Sequence, residues 1–239
     1  MAFGFLPQVN DYKVVRILCE GLEPRTTEVY STSTDSWRRI GVALPSCHLI
    51  GCRSAVVNGA AYWVALKETD DEGWRYLLVR FEMGDEAFEE VSLPAAIAAG
   101  GRCPKNISVL EESLYLFIRC DGNYCYDVWT TEYGKMGCWT KRYVANYFNN
   151  PFVGFQCMRK SGEQLLFNPG SHDNLESYNF ETQTTKDLGF HGYNLLSSCS
   201  CVESLIQLDG AQSIFPLDNG NASYAAIYEE RSNQERVGS

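Results

Sequence analysis

A pair of aromatic landmarks returns along this chain about every fifty residues, and no other feature restricts its fold as strongly. Val29-Tyr30 leads to Trp37, Arg80-Phe81 to Phe88, Val128-Trp129 to Trp139, and Ser177-Tyr178 to Thr185, the most degraded copy. The first aromatics stand at 30, 81, 129 and 178, in steps of 51, 48 and 49 residues. A second landmark keeps the same beat. Val57-Asn58-Gly59 turns into Ala61-Tyr62-Trp63-Val64, Leu110-Glu111-Glu112 into Leu114-Tyr115-Leu116-Phe117, and Arg159-Lys160-Ser161-Gly162 into Gln164-Leu165-Leu166-Phe167. Asn-Gly between apolar runs marks a hairpin, because both turn residues must accept a positive φ.

Each period therefore holds four strand candidates, a to d. They fall at 54–57, 61–66, 76–82 and 88–93 in the second unit, and at 107–110, 114–119, 126–131 and 139–144 in the third. In the fourth they fall at 155–159, 164–168, 175–180 and 185–188. The first unit shows only b, c and d, at 12–19, 28–32 and 37–42, and residues 201–208 form a lone a-type strand. That strand is expected to lie beside 12–19, so that one unit is built from both chain ends. Four strands per repeat of this length is the pattern of a β-propeller blade. Leu114-Tyr115-Leu116-Phe117-Ile118 is apolar on both faces, as a strand pressed between two neighbouring blades must be. Helical periodicity is confined to one turn at 94–99, stopped by Gly100-Gly101. The expected organisation is an all-β propeller domain over 1–210, with about four blades visible, and a polar, largely disordered tail over 211–239.

Aromatics make up 13% of the chain and suit strands. A net charge of −10 argues against a nucleic-acid partner, since phosphate binding needs clustered Lys and Arg. No apolar run approaches the length of a membrane helix. The ten cysteines include no C-x-x-C pair, and Cys199 and Cys201 have poor ligand spacing, so reduced thiols in a cytoplasmic or nuclear protein are expected. Neither a metal nor a cofactor is expected. His48, His172 and His191 all fall in expected loops, with no H-x-x-x-H or H-E-x-x-H pattern. Carboxylates cluster at Glu68, Asp70, Asp71 and Glu72 and at Glu82, Asp85, Glu86, Glu89 and Glu90. The first cluster lacks the alternation of a calcium loop and reads as solvated. Tyr30, Trp37, Trp63, Phe81, Trp129 and Trp139 read as blade packing, because their period is that of the fold.

The b–c and d–a connections are longer than the a–b and c–d turns, and in a propeller they emerge on one face. Long loops on a rigid scaffold are where recognition concentrates. They carry Arg25, His48, Trp74, Arg102, Tyr124, Tyr147, Phe148 and His172, of types that anchor protein interfaces. A protein-binding surface centred on Trp74, Tyr124 and Tyr147 is expected there, with no catalytic residue. Propellers also host enzymes of oxidase or glycosidase type, and a fragment without function is a further alternative.

Several stretches resemble the plant F-box-associated domain of kelch-like type. They are Gly4-Phe5 with 10–16, Glu28-Val29-Tyr30-Ser31 with Ser36-Trp37-Arg38, Asn58-Gly59-Ala60-Ala61-Tyr62-Trp63, Phe81 and Phe88 with Leu93-Pro94, and Glu203-Ser204-Leu205. Val128-Trp129 with Glu132-Tyr133-Gly134 and Trp139-Thr140-Lys141 is the most specific. Cys138 departs from the family's Ser, and Tyr62 from its frequent His. The likeness covers residues 3–208. It implies the substrate-recognition part of a Skp–cullin–F-box ubiquitin ligase, which captures a target protein for ubiquitination. It also implies a Skp-type adaptor held by a helical F-box that nothing before Phe3 supplies, so residues 1–239 alone are expected not to bind the adaptor.

Overall fold

The computed structural model describes residues 1–21, 23–42, 45–50, 53–70, 73–98, 104–120, 125–132, 135–146, 154–158, 164–168 and 174–191. The chain divides into Met1–Ser200 and Cys201–Ser239. The second unit lies wholly outside the described residues, and with it the expected strand at 201–208 and tail at 211–239.

Within the first unit the described strands form four antiparallel sheets in chain order. The first holds β1 (Ala2–Leu6), β2 (Asp11–Glu20), β3 (Glu23–Ser31) and β4 (Ser36–Ile40). The second holds β5 (His48–Leu49), β6 (Ala55–Val57), β7 (Ala60–Glu68), β8 (Trp74–Glu82) and β9 (Ala87–Ser92), followed by the single-turn helix α1 (Ala95–Ala98). The third holds β10 (Pro104–Leu110), β11 (Ser113–Arg119), β12 (Cys125–Glu132) and β13 (Lys135–Asn146). The fourth holds β14 (Gly154–Met158), β15 (Gln164–Asn168), β16 (Asn174–Asn179) and β17 (Thr184–His191).

These sheets are the four expected units, and the landmarks sit on their outer hairpins. Tyr30 stands opposite Trp37 and Phe81 opposite Phe88, with ring centroids 5.5 and 4.8 Å apart. Tyr178 stands opposite Thr185. In the third sheet a register shift after Val128 puts Trp129 opposite Lys141 and Trp139 opposite Thr131. Asn58 and Gly59 both take positive φ, 51° and 76°, as the hairpin signal requires.

Three expectations need correction. The first unit does have its strand a: β1 pairs with β2 from Ala2↔Val15 to Leu6↔Asp11. With β3 on its other side, β2 has no free edge to take a C-terminal strand. The sequence hides β1 because its buried positions are the small or short Ala2, Gly4 and Leu6. A Cβ on Gly4 would lie 2.7 Å from Met83 Sδ and 3.0 Å from Val56 Cγ1, so any larger residue would force the Met83 side chain to move from between the first two sheets. Second, the first b–c connection is a tight turn and not a loop over 20–27. Gly21, at φ +63°, lets β2 and β3 run on to Glu20 and Glu23. Third, His48 lies in β5, where it pairs with Leu66, and His191 ends β17, so neither is a loop residue.

The core is three apolar layers between successive sheets. Val15, Val29 and Ile40 meet Ala61, Trp63, Val79 and Phe81 in the first layer. Tyr62, Val64 and Leu78, with Ile97 of α1, meet Leu114, Leu116 and Ile118 in the second, where Trp129 and Trp139 pack half-buried. Phe117, Tyr126 and Val128 meet Met158, Tyr178 and Phe180 in the third. The landmark aromatic of a sheet thus faces the sheet before it: Phe81 in the first layer, Trp129 in the second, Tyr178 in the third. Tyr30 and Trp37 point the other way from Val29, off the outer side of the first sheet. Trp37 is therefore 44% exposed, against the expectation that it packs between blades. The Arg16 guanidinium covers its ring at 4.5 Å.

A small device ties sheets together. The four-residue c–d turns end on a non-glycine residue in the left-handed region: Asp35, Glu86 and Gln183, at φ 47°, 55° and 55°. From that position Glu86 reaches back to the first sheet, where Lys13 Nζ donates to its carboxylate at 2.8 Å and Arg38 also pairs with it. Gln183 does the same in the fourth sheet, donating to the Val144 carbonyl at 3.0 Å and accepting from the Asn146 amide side chain at 3.0 Å.

Candidate protein-binding surface

Antiparallel pairing puts the a–b and c–d turns at one end of a sheet and the b–c hairpin, with the chain's entry from the preceding sheet, at the other. In the second sheet this second end is built from described residues. β7 and β8 run past the rest of the sheet to a last pair, Glu68↔Trp74. The hairpin closes through Thr69 N–H donating to the Gly73 carbonyl at 2.9 Å. Gly73 lies close against Thr69: a Cβ there would sit 3.0 Å from Thr69 Oγ1, so the Thr69 side chain would have to give way. β5 arrives along the other side of β7 and sets His48 opposite Leu66.

This convergence brings two of the expected site residues together. The His48 and Trp74 rings meet at 5.4 Å, tilted by 54°, and Trp74 remains 45% exposed. Trp74 opens β8 and is not a loop residue: the strand is longer than its apolar stretch suggests, and the indole stands at its end. Two cations stand on the opposite face of the hairpin. Lys67 Nζ donates to both oxygens of Glu90, at 2.7 and 2.9 Å, and Arg75 Nη2 lies 3.9 Å from the same carboxylate. Cys47 lies buried nearby, and burial, followed by the Glu90 charge, pushes its thiol up to about 11. Lys67, Glu68, Thr69, Asp70 and Arg75 line a cleft of about 480 Å³. The surface thus offers a partly exposed indole, an imidazole and a guanidinium, the side-chain types that anchor protein partners.

Arg25 lies in β3 at the register shift between Leu18 and Cys19, where the strand bulges. Arg102, Tyr124, Tyr147, Phe148 and His172 lie outside the described residues. Sequence reasoning missed the pairing of Lys67 and Arg75 with Glu90, because β9 supplies Glu90 from across the sheet. The carboxylates of 82–90 are largely engaged: Arg80 pairs with Glu82 and Glu89, and Glu86 with Lys13 and Arg38. Also missed was the aromatic outer side of the first sheet. There Phe3 and Phe5 pack on Tyr12 at 5.5 and 4.7 Å and remain exposed. Among the described residues no three of His, Cys, Asp and Glu form a group able to hold a metal ion. Among them, too, no helix is long and apolar enough to cross a membrane.

Antiparallel sheets of four strands, five in the second where β5 and β6 share one edge of β7, recur on one period and stack through apolar faces, which defines a kelch-like β-propeller protein. The chain belongs to the F-box associated beta propeller domain family, whose model matches residues 1–208. It is similar to F-box protein At2g07140 and to F-box/kelch-repeat protein At3g44120 of Arabidopsis thaliana. Each is 30% identical over 142 residues, 55% of this chain and 35% of the relative. F-box protein CPR1 of the same plant is 30% identical over 159 residues, 58% of this chain and 38% of the relative. The chain spans a little over a third of the length of these curated relatives.

Proposed function

We propose that this propeller captures a protein target for a Skp–cullin–F-box ubiquitin ligase, in the cytosol or nucleus, and carries out no chemistry itself. The observation that carries the reading is the membership of a family of F-box associated propellers, joined to a surface of interface-type residues at the end of the second sheet. Trp74 and Arg75 stand at the end of a hairpin whose strands are fixed by the core, so the anchor is presented rigidly. Little entropy is then lost when a partner settles on it. Of the remaining candidates, Tyr124 belongs to the b–c connection of the next sheet, and Arg102, Tyr147, Phe148 and His172 to connections of the same kinds. A surface spread over several such connections suits a folded protein partner better than a small ligand. The adaptor contact belongs to an F-box and is not assigned to any of these sheets.

The test is affinity capture from plant cells treated with a proteasome inhibitor, comparing the wild-type chain with Trp74→Ala/Arg75→Ala. The reading expects a small set of proteins, recovered with the wild type and depleted at least tenfold by the double variant, that become ubiquitin-modified when the propeller is expressed fused behind an F-box. Equal recovery by both chains, or captured proteins left unmodified by the F-box fusion, would contradict it.

A further inference from the structure

Two cysteines face each other at the mouth of the b–c hairpin in the third sheet. The β11–β12 ladder ends at Arg119↔Tyr126, and the next pair outward is Cys120 and Cys125, joined by a backbone hydrogen bond from Cys120 N to Cys125 O at 3.0 Å. Both side chains are half-buried and both thiols are free. The Cys120 thiol hydrogen-bonds the Cys125 side chain and also donates to Asp127 Oδ1 at 3.4 Å. Directly opposed residues of an antiparallel pair have Cα atoms roughly 4.5–5.5 Å apart. A disulfide accepts about 4.4–6.8 Å. As a hydrogen-bonded pair the two residues have their Cα atoms about 5.5 Å apart, inside the range a disulfide accepts, and a bond between their sulfurs needs only a small local approach of the two Cβ atoms.

We propose that Cys120 and Cys125 form a reversible disulfide that locks the ends of this hairpin when the thiol–disulfide balance of the cell turns oxidising. The co-reactant is a small-molecule disulfide of the glutathione class. Cys125 is the attacking sulfur: its thiolate displaces one glutathione thiolate and leaves Cys125 in a mixed disulfide with the other. Cys120 then gives up its proton, its sulfur attacks the Cys125 sulfur, and the second glutathione leaves as a thiolate. Two protein thiols are oxidised, one glutathione disulfide is reduced, and two glutathiones are released once the leaving thiolates take up the two thiol protons. The order of attack follows from the surroundings of Cys120. Burial first, then the hydrogen bond to Cys125 and the Asp127 carboxylate, push its thiol up to about 12 and keep it protonated. Asp127 is itself 2% exposed and held by Lys141 Nζ at 2.7 Å, so its charge is fixed beside the sulfur. A protonated thiol resists the first attack, yet its sulfur is in place for the second. Of the other described cysteines, Cys19 lies in β2, Cys47 just before β5, Cys138 in β13 and Cys157 in β14 opposite Leu166, so none is paired with Cys120 or Cys125. The connection that the bond would fix at both ends carries Tyr124, though the disulfide itself does not depend on any binding role.

The test holds the full chain in buffers of rising glutathione disulfide to glutathione ratio. Each sample is quenched in acid, alkylated with N-ethylmaleimide and mapped by peptide mass spectrometry after chymotryptic cleavage without reduction. The expected result is loss of alkylation at Cys120 and Cys125 together, with a linked peptide pair lighter by two hydrogens and restored by dithiothreitol. Cys120→Ser should stop the sequence at a glutathione adduct on Cys125, and Cys125→Ser should leave Cys120 alkylatable. Persistent alkylation of both cysteines in the wild type at the most oxidising ratio would overturn the proposal. So would a stable adduct on Cys125 that does not close, or linkage of either residue to another cysteine.

Discussion

Asp11 shows how much one polar residue holds together in this fold. It is 4% exposed, yet its carboxylate accepts from the hydroxyl of Ser31, the hydroxyl of Thr32 at 2.8 Å and the backbone N–H of Ser33 at 2.9 Å. Burial alone would raise its pKa, but these hydrogen bonds outweigh it and lower the value from 3.8 to about 2. The folded state therefore binds this proton less tightly than the unfolded chain. The stabilisation is complete above about pH 4 and is lost as the pH falls from there toward about 2. Asp11→Asn should flatten that part of the stability–pH curve, measured by urea unfolding from pH 2 to 7. At pH 7, Asp11→Ala should cost roughly 1–3 kcal/mol, since it strands buried donors. The sequence shows Asp11 only as a member of a strand-opening motif. Its partners lie some twenty residues away and meet it only once β2 and β3 pair. The landmark aromatics were legible as a set but not one by one. Trp129 and Trp139 bury their indole N–H groups with no acceptor among the described residues, whereas Trp37 is 44% exposed beside Tyr30 and Arg16. Trp129→Ala should accordingly cost roughly 3–5 kcal/mol, and Trp37→Ala under about 1 kcal/mol. Thermal unfolding of the two variants checks the contrast. Trp129→Phe, which removes the unpaired donor and keeps most of the volume, should melt close to wild type.

At the scale of elements, the period of aromatic pairs and turns was enough to place all four sheets and most of their strands. Strands b and c of each sheet are long and apolar or aromatic, and nothing else competes for such segments. What escaped was short or polar. β1 is five residues with a glycine in the middle, β5 is two residues, and the ends of β2 and β3 are charged. These strands exist because a neighbour offers an unpaired edge, and a one-dimensional pattern does not record that. The back-reaching c–d turns were equally hidden, since Glu86 reads as one carboxylate in an acidic run. Burial raises its pKa, but the hydrogen bonds from Arg38 and Lys13 outweigh it and leave the value below the ordinary one. Lys13 is buried beside it, with its side chain 11% exposed. Glu86→Ala should cost about 2 kcal/mol, the scale of a charge-assisted hydrogen bond lost in a partly buried place. Asp85→Ala, exposed in the same turn, should stay within about 0.5 kcal/mol. A comparison of urea midpoints decides whether the turn residue or merely the local charge matters.

At the scale of the molecule, three apolar layers between four sheets make a rigid stack, and its ends differ in kind. One end carries tight turns, two of which fasten a sheet to the one before it, through Glu86 and Gln183. The other, in the second sheet, carries the longer hairpin that sets His48 against Trp74 on one face and joins Lys67 and Arg75 to Glu90 on the other. Loop length and residue type single out this end in the sequence, but they do not bring His48 to Trp74. That meeting depends on β5 pairing with β7, through a strand too short to leave a pattern. The central claim is that a protein target is captured at this end and not at the turns. Site-specific photo-crosslinking tests it most directly. A benzophenone-bearing phenylalanine replaces Trp74 in one variant and, at the far end of β8, the exposed Asp85 in another. The two positions are separated by the length of the strand, roughly 27 Å at about 3.3 Å per residue. After irradiation in cells under proteasome inhibition, the account predicts a discrete crosslinked target from position 74 and none from position 85. Crosslinks from position 85 alone, or equally from both, would contradict it.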